Sequence, residues 1–529
     1  MVAAVSCVAL ATTVATGSTW ALLDDSASGG PEQVISAALN PAPTALATVN
    51  GGCAGSPQQT NVAMSWTDAQ SSIAGAGGGS LVSGYTVAQA SAVGGPYVSA
   101  GTASGSPAPT TLSATATVAN TPVALVVDTA RRAYPVSESS LSAGAPVTLN
   151  KASNQANAIQ ISPDGLSAVI AEYSSSRVQV LTWSGSAWSV AKTLVVTRPT
   201  AVAVDPVPNG SGLYVAYVVS DPRATTNGAV YPVTLQGVSS TLGAPIGVQH
   251  QANPTAIVVT PSGGTVYVAN YHSGTVTAIA TTTLATTTIA LSGATPHPVA
   301  LAATFDSTHV YVADRRNSVI DDITVASNTV GATITLAAGG LNDSVVTTAG
   351  NPNVLAMLPN GKSLYVAEFG TSEVQVVDTA LASPPDTIAA TISTGGGSAP
   401  IDLAVSPNGC LVYGADWPSD AIFSITTTSN VESSVFVAAC QTQDPQALQV
   451  SPDNQYLFIP ENYGCGDLQV LNTATNVVTT ITGIGRGPTM VAVPPAPIWY
   501  ETSATHGQWS SNPSAPTMYP AGWNPGGWQ

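Results

Sequence analysis

The 529-residue sequence predicts an all-β chain: a seven-bladed β-propeller with an N-terminal β-sandwich. Two observations carry that reading. Between Asn157 and Val493 one pattern comes seven times: an apolar run, a Ser/Thr-Pro-Asp/Asn-Gly type of turn, a Tyr-Val-Ala strand, a polar loop and a further Val/Ile strand. The residue near the head of each second strand marks the period: Val169, Tyr214, Tyr267, Tyr311, Tyr365, Tyr413 and Phe458. These stand roughly 44 to 54 residues apart, the size of a propeller blade. The second observation is the texture of the units, short β-branched runs cut by Gly, Pro, Asn and Ser, which suits strands and leaves no room for helices.

One unit shows the elements in order. Pro254 to Val259 is the inner strand, Thr260-Pro261-Ser262-Gly263 the turn, and Thr265 to Ala269 the returning strand; Val276 to Ala280 and Thr286 to Leu291 complete four. A lone four-stranded sheet cannot bury both faces, so such sheets stack radially and cover one another. These units resemble the YVTN-type seven-bladed propellers of microbial surface and secreted proteins. The resemblance rests on Thr260-Pro261-Ser262-Gly263 with Tyr267-Val268-Ala269-Asn270, and on Pro359-Asn360-Gly361 with Tyr365-Val366-Ala367-Glu368, within residues 150–495. It implies a fold and leaves activity open. Pro488 to Val493 reads as an eighth inner strand without its three partners; it either closes the ring or trails away.

Ahead of the propeller the texture changes. Val2 to Leu23 carries no charge and is followed by Asp24-Asp25. Residues 1–21 read as a signal peptide ending at Thr19-Trp20-Ala21 or, if uncleaved, as a membrane anchor, with 22–40 as a linker. The stretch from Thr19 to Asn40 resembles the export region of camelysin-like secreted bacterial proteins, though a basic start is missing. Across 41–149 no Tyr-Val-Ala unit occurs. The alternation and turn spacing there indicate a small all-β sandwich, and Pro43 to Thr48, Val62 to Trp66, Gly84 to Val87 and Gly94 to Val98 resemble strands A, B, C and C′ of a fibronectin type III module. That resemblance makes Trp66 its core aromatic and Val123 to Val127 its F strand. Residues 496–529 form a Pro/Gly/Trp-rich tail with Trp499, Trp509, Trp523 and Trp528, rings that either stack on sugars or pack on the domains.

Only 7% of residues are charged, 28 acidic against 11 basic, for a net charge of −17. Nucleic acid is excluded as a partner on this ground, because neutralising phosphates needs clustered Lys and Arg, and Arg131-Arg132 and Arg315-Arg316 are only pairs. Cys440 and Cys465 reach the same end of one blade and are candidates for a disulfide in an exported protein. Cys410 pairs with Cys53 or stays free. No CxxC spacing occurs and the five His residues are scattered, so no metal and no cofactor are expected.

Directly after the second strand, successive units place Glu172, Asn270, Asp314, Glu368, Asp416 and Glu461, followed by Tyr173, Tyr271, Phe369, Trp417 and Tyr463. In an antiparallel sheet these positions share one end of the ring, near the mouth of the channel. Converging carboxylates walled by aromatics suit a cation, a quaternary amine or a carbohydrate; the same residues also suit a humbler role, tying loops by accepting backbone N–H bonds. His272 lies in such a loop and could act as a base beside Glu368 or Asp314. No nucleophile elbow, zinc-protease helix, phosphate-binding loop or EF-hand spacing is present.

The sequence therefore points to an exported, non-catalytic binding or adhesion protein, secreted or at the cell surface, with a glycan or protein ligand. Contact with a membrane is expected only through the N-terminal segment. A structural surface or matrix component, and a propeller enzyme of lactonase or lyase type, are the alternatives. Oligomeric state is not legible.

Overall fold

The computed structural model describes residues 46–49, 61–65, 84–90, 98–104, 111–115, 123–149, 156–221, 228–248, 253–336, 354–368, 372–380, 386–395, 400–416, 421–437, 445, 447–461, 467–485, 487–494, 498–506, 509–510 and 517–519. They are strands and turns apart from one 3-10 turn at Gly237–Ser239. Among them no helix is long and apolar enough to cross a membrane.

The chain divides into two compact units. The larger is a β-propeller of eight blades, which corrects the expected seven. Blades 1 to 7 follow the sequence, each a meander in the order inner, second, third, outer. Blade 1 runs Ala158–Ile161, Ser167–Glu172, Arg177–Trp183 and Trp188–Val195; blade 4 runs Pro298–Ala303, His309–Asp314, Val319–Thr324 and Thr329–Thr335. The eighth blade is assembled from both ends of the propeller segment. Its inner strand is Pro488–Ala492, and its second and third strands are Val123–Asp128 and Arg132–Ser137, with Ser142–Ala143 and Val147–Thr148 outermost. The strand Val123–Asp128, expected in the sandwich, thus pairs with Pro488–Ala492. The repeat count missed this blade because it lacks the Tyr-Val-Ala phrase and its four strands are not contiguous in sequence.

Eight apolar clusters fill the eight seams between neighbouring sheets. At the closing seams, Leu125, Val127 and Met490 of blade 8 pack with Ile159, Ile170 and Trp188 of blade 1, and Val126 and Val491 pack with Phe458 and Val470 of blade 7. Side chains alternate across each strand, so one sheet supplies both of its seams. This is why second strands such as Val310–Ala313 are buried throughout.

The Tyr of the Tyr-Val-Ala strand also crosses the seam with its hydroxyl. Tyr267 donates to Asn328 Oδ1 at 2.6 Å and Tyr365 to Asn430 Oδ1 at 2.7 Å, in the third-to-outer turn of the next blade, while Tyr311 donates to Asp386 Oδ2 at 2.9 Å. Asn328 and Asn430 sit at φ 53° and 52°, a left-handed conformation that Asn tolerates. The phrase varies: blade 1 has Val169-Ile170-Ala171 and blade 7 Phe458-Ile459-Pro460, in blade 2 the residue at the register of Tyr267 is Tyr217 and not Tyr214, and at Tyr413-Gly414-Ala415 the Phe423 ring occupies the space a side chain at Gly414 would need.

The smaller unit contains two sheets. One orders Leu46–Val49, Asn61–Ser65 and Thr111–Thr115; the other contains Val98–Ser104, Gly84–Ala90 and Ile498–His506, with Trp509–Ser510 and Thr517–Tyr519 added to the last. Part of the expected tail is therefore strand, in continuous register with Gly84–Ala90 from Thr505 to Trp499. In chain order, the propeller is inserted between two segments of this unit.

Candidate functional site

In each meander the second-to-third and outer-to-inner connections fall at one end of the blade, here the loop end, and the other two at the turn end. The sequence-nominated positions occupy one register position at the loop end. Asn270 pairs with Pro254, Asp314 with Pro298, Asp416 with Pro400 and Glu461 with Pro445. Blades 2 and 8 continue the series with Ser220 opposite Pro199 and Asp128 opposite Pro488. Proline has no N–H to give to the ladder, and a bulge follows it in these inner strands wherever the ladder continues.

The six nominated residues do not present open side chains: Glu172, Asn270, Asp314, Glu368, Asp416 and Glu461 are each at most 4% exposed. Where the bonds are defined, they run back into the residue's own blade. Asp314 Oδ1 accepts the backbone N–H of His297 at 2.8 Å and of Arg316 at 3.0 Å, and Oδ2 accepts from Asn317 Nδ2. Glu172 accepts from Ser175 Oγ at 2.8 Å and from Gln179 Nε2. Asn270 Nδ2 donates to Thr277 Oγ1 at 2.8 Å, and Asp128 accepts from Arg132 N at 2.7 Å and Tyr134 OH at 3.2 Å. Burial pushes the Glu172 carboxyl up, against the opposing pull of its hydrogen bonds and of Arg177 and Arg131. These geometries are loop ties.

The aromatic positions stand in a different environment. Tyr173 and Tyr271 are half-buried and each stacks on the residue that precedes the inner-strand proline of the next blade. The Arg198 guanidinium lies over the Tyr173 ring, 4.5 Å from its centroid, and bonds its hydroxyl. His297 stacks on Tyr271 at 4.4 Å, and His272 meets the same ring edge-on at 5.1 Å. Arg316 Nη1 lies 3.5 Å from His297 Nε2. His272 is thus part of an aromatic group, and the nearby Asp314 is occupied by its loop ties. Phe369, Trp417, Tyr463, Cys440 and Cys465 lie outside the described residues. Cys410 is in a disulfide, whose other half also lies outside them.

Sequence reasoning missed Arg198 and His297. Their signal is position, the residue immediately before the inner-strand proline. It also missed a turn-end group between blades 4 and 5, where His309 Nδ1 lies 2.8 Å from Asp322 Oδ1 and Tyr311 bonds Asp386. The Asp322 bond raises the His309 pKa above its ordinary value, against partial burial. Among the described residues no group of three or more His, Cys, Asp or Glu is arranged to hold a metal ion.

No family model and no curated protein matches the chain. Among solved structures, the dihydro-heme d1 dehydrogenase NirN is similar over 70% of this chain and 74% of its own, with a TM-score of 0.53 and 13% identity. The hydrazine synthase of Kuenenia stuttgartiensis aligns with 62% of this chain and 96% of its own at TM-score 0.43 and 17% identity. A 6-phosphogluconolactonase-like protein of Bacteroides fragilis aligns over 60% and 93% at TM-score 0.44 and 15% identity. At such identities the likeness to NirN speaks for the propeller fold and for no chemistry.

Proposed function

We propose that this chain is an exported, non-catalytic binding protein, secreted or held at the cell surface, which presents the loop end of its propeller to a ligand of the cell envelope. The observation that carries the reading is the set of half-exposed aromatic and cationic side chains locked across successive blades: Tyr173 with Arg198, and Tyr271 with His297, His272 and Arg316. Each is positioned by strands whose seams are packed, so little side-chain entropy remains to be lost on binding. Flat rings edged by donors suit sugar or peptide recognition. The buried carboxylates beneath support this surface by fixing its loops. The smaller unit serves as a spacer of fibronectin type III kind, and the YVTN-type resemblance of the blades accords with a surface location.

Co-sedimentation of the purified full chain with isolated envelope tests the reading. Saturable binding is expected, and it should weaken in Tyr173→Ala and Tyr271→Ala variants that retain the far-UV spectrum of the parent. Absence of binding, or binding indifferent to both substitutions, would overturn it.

A further inference from the structure

We infer that the ligand is an acidic polysaccharide, one bearing a carboxylate on each repeating sugar, and that it lies along the loop end of blades 8, 1 and 2. The inference rests on the binding reading above and names its ligand class. The chain has eight Arg and three Lys against 28 acidic residues, so where the cations stand is informative. The six described arginines, Arg131, Arg132, Arg177, Arg198, Arg315 and Arg316, all lie in or bordering loop-end connections, whereas Lys192 lies in an outer strand and Lys362 in a turn at the opposite end. Four of the six belong to an unbroken arc: Arg131 and Arg132 follow the second strand of blade 8, Arg177 opens the third strand of blade 1, and Arg198 precedes the inner strand of blade 2.

Asp128 pairs with Arg132 at 3.2 Å, so the arc's recognition charge is carried chiefly by Arg177 and Arg198. Asp128, Glu172 and Asp221 are buried, and the Glu172 oxygens are taken by Ser175 and Gln179. Neither Arg177 nor Arg198 is ion-paired to a carboxylate among the described residues. At the loop end of blade 5, opposite blade 1 in the ring, Glu373 is part-exposed, and at that of blade 7, beside blade 8, Asp467 is part-exposed. An anionic ligand is thereby drawn toward Arg177 and Arg198.

Arg198 is also prepared for recognition. Its guanidinium rests on Tyr173, and its backbone N–H is held by Ser176 Oγ at 3.1 Å. A planar fork fixed in this way matches a carboxylate. A small anion would engage one such fork, but arginines spread over three neighbouring blades fit a chain whose charges repeat. Beside Arg198, the Tyr173 edge and the hydroxyls of Ser174 to Ser176 are the groups that sugar rings contact. A polymer with one charge per sugar places fewer demands on this arc than nucleic acid, which carries a charge about every 1.7 Å of duplex.

The test uses the full chain and polygalacturonate as the probe, with a neutral glucan, polyglutamate and single-stranded DNA for comparison, at roughly 50 and 200 mM salt. Expected are saturable binding to polygalacturonate that falls with salt, little binding to the other three, and a loss of about tenfold or more in Arg177→Ala and Arg198→Ala. Lys192→Ala should bind as the parent does. Arg198→Lys, which keeps the charge and loses the fork, should recover binding only in part. Thermal melts of every variant separate loss of binding from loss of fold, and Arg177→Ala, which removes no side-chain hydrogen bond or ion pair among the described residues, serves if Arg198→Ala is unstable. Envelope binding without polygalacturonate binding would overturn this inference and leave the function reading intact; absence of both would remove both. Equal binding to polyglutamate or DNA, or unchanged affinity in Arg177→Ala and Arg198→Lys, would overturn the choice of a polysaccharide.

Discussion

Replacing Glu138 should make the propeller more stable, and more so as pH rises. Glu138 directly follows the third strand of blade 8. In blades 3, 5, 6 and 7 that position is Thr281, Thr379, Thr427 and Thr473, whose hydroxyls donate to Gly263 O, Gly361 O, Gly409 O and Asn454 O in the inner-to-second turn. Blade 8 has no such turn, because its inner and second strands come from opposite ends of the propeller segment. Glu138 is 5% exposed, and neither carboxyl oxygen has a hydrogen-bond partner among the described residues. Burial, reinforced by Asp453, lifts its pKa from 4.5 to about 8. Between those values the folded chain keeps a proton that the unfolded chain has lost, so this group lowers stability progressively from pH 4.5 to about 8. At about 1.36 kcal/mol per pH unit the full penalty at high pH is on the order of 5 kcal/mol, an upper bound because hydration of the site would relieve it. Glu138→Val, the residue blade 4 carries as Val325, removes both charge and unpaired polar atoms; Glu138→Gln removes the charge alone. Urea midpoints followed by tryptophan fluorescence should show both variants gaining on the parent between pH 4.5 and 8.5, with the valine ahead. The same pH dependence in variants and parent would refute the reasoning.

Tyr267→Phe removes the seam bond to Asn328 and should cost about 1 kcal/mol, read as a lower thermal midpoint; Tyr217, whose hydroxyl makes no such bond among the described residues, is a reference position. His309, raised by Asp322, contributes stability that is fully present below its ordinary value of 6.5 and is lost as pH rises through its raised folded value; His309→Gln should flatten melting temperature against pH in that window. Gly414→Ala sets a methyl against Phe423, and overpacking of this kind should cost about 1–3 kcal/mol, while Gly414→Ala combined with Phe423→Leu should recover part of it. Deleting residues 123–148 removes three strand positions of blade 8 and leaves Pro488–Ala492 without its sheet, so the ring should lose its cooperative melt and bind a hydrophobic dye.

Seven blades were legible because the repeated second strand reports a physical constraint: apolar side chains must fill both faces of a central strand, and in blades 3, 4 and 5 the Tyr also bonds across a seam. The eighth was not, since Val123 to Asp128 and Pro488 to Ala492 read as unrelated strands until they pair. The register of Glu172, Asn270, Asp314, Glu368, Asp416 and Glu461 was also legible, because strand period and turn spacing fix which end each residue occupies. Their burial was not. It depends on Gln179, Thr277 and the loop amides that close over them, partners drawn from the next strand and the neighbouring connection. Arg198 and His297 escaped notice for a related reason: their meaning comes from Tyr173 and Tyr271 across a seam, a contact that no local spacing announces.

Blade 8 departs from the repeat at both ends, and its construction accounts for this. In blades 1 to 7 the inner and second strands are consecutive in sequence, which confers local pairing, and their connection places a residue at positive φ, such as Gly263 at φ 69°, Ser307 at φ 61° and Asn454 at φ 61°. In blade 8 that pairing is long-range. Its register is held by Asp128 opposite Pro488 and by the packing of Leu125, Val127, Met490 and Ala492 against blade 1. Freed from the turn, the position of Glu138 lost the reason to be threonine. At the loop end, the Asp128 tie requires a donor from Arg132, whose side chain adds a 3.2 Å Nε contact to the same carboxylate, and Arg131 comes with it at a left-handed φ of 68°. The strand that closes the ring therefore also begins the arginine arc. Variants that probe Arg132 will therefore disturb ring closure as well as any recognition, whereas Arg177 and Arg198 stand clear of the closing strands, Arg198 still bridging to Tyr173 of blade 1.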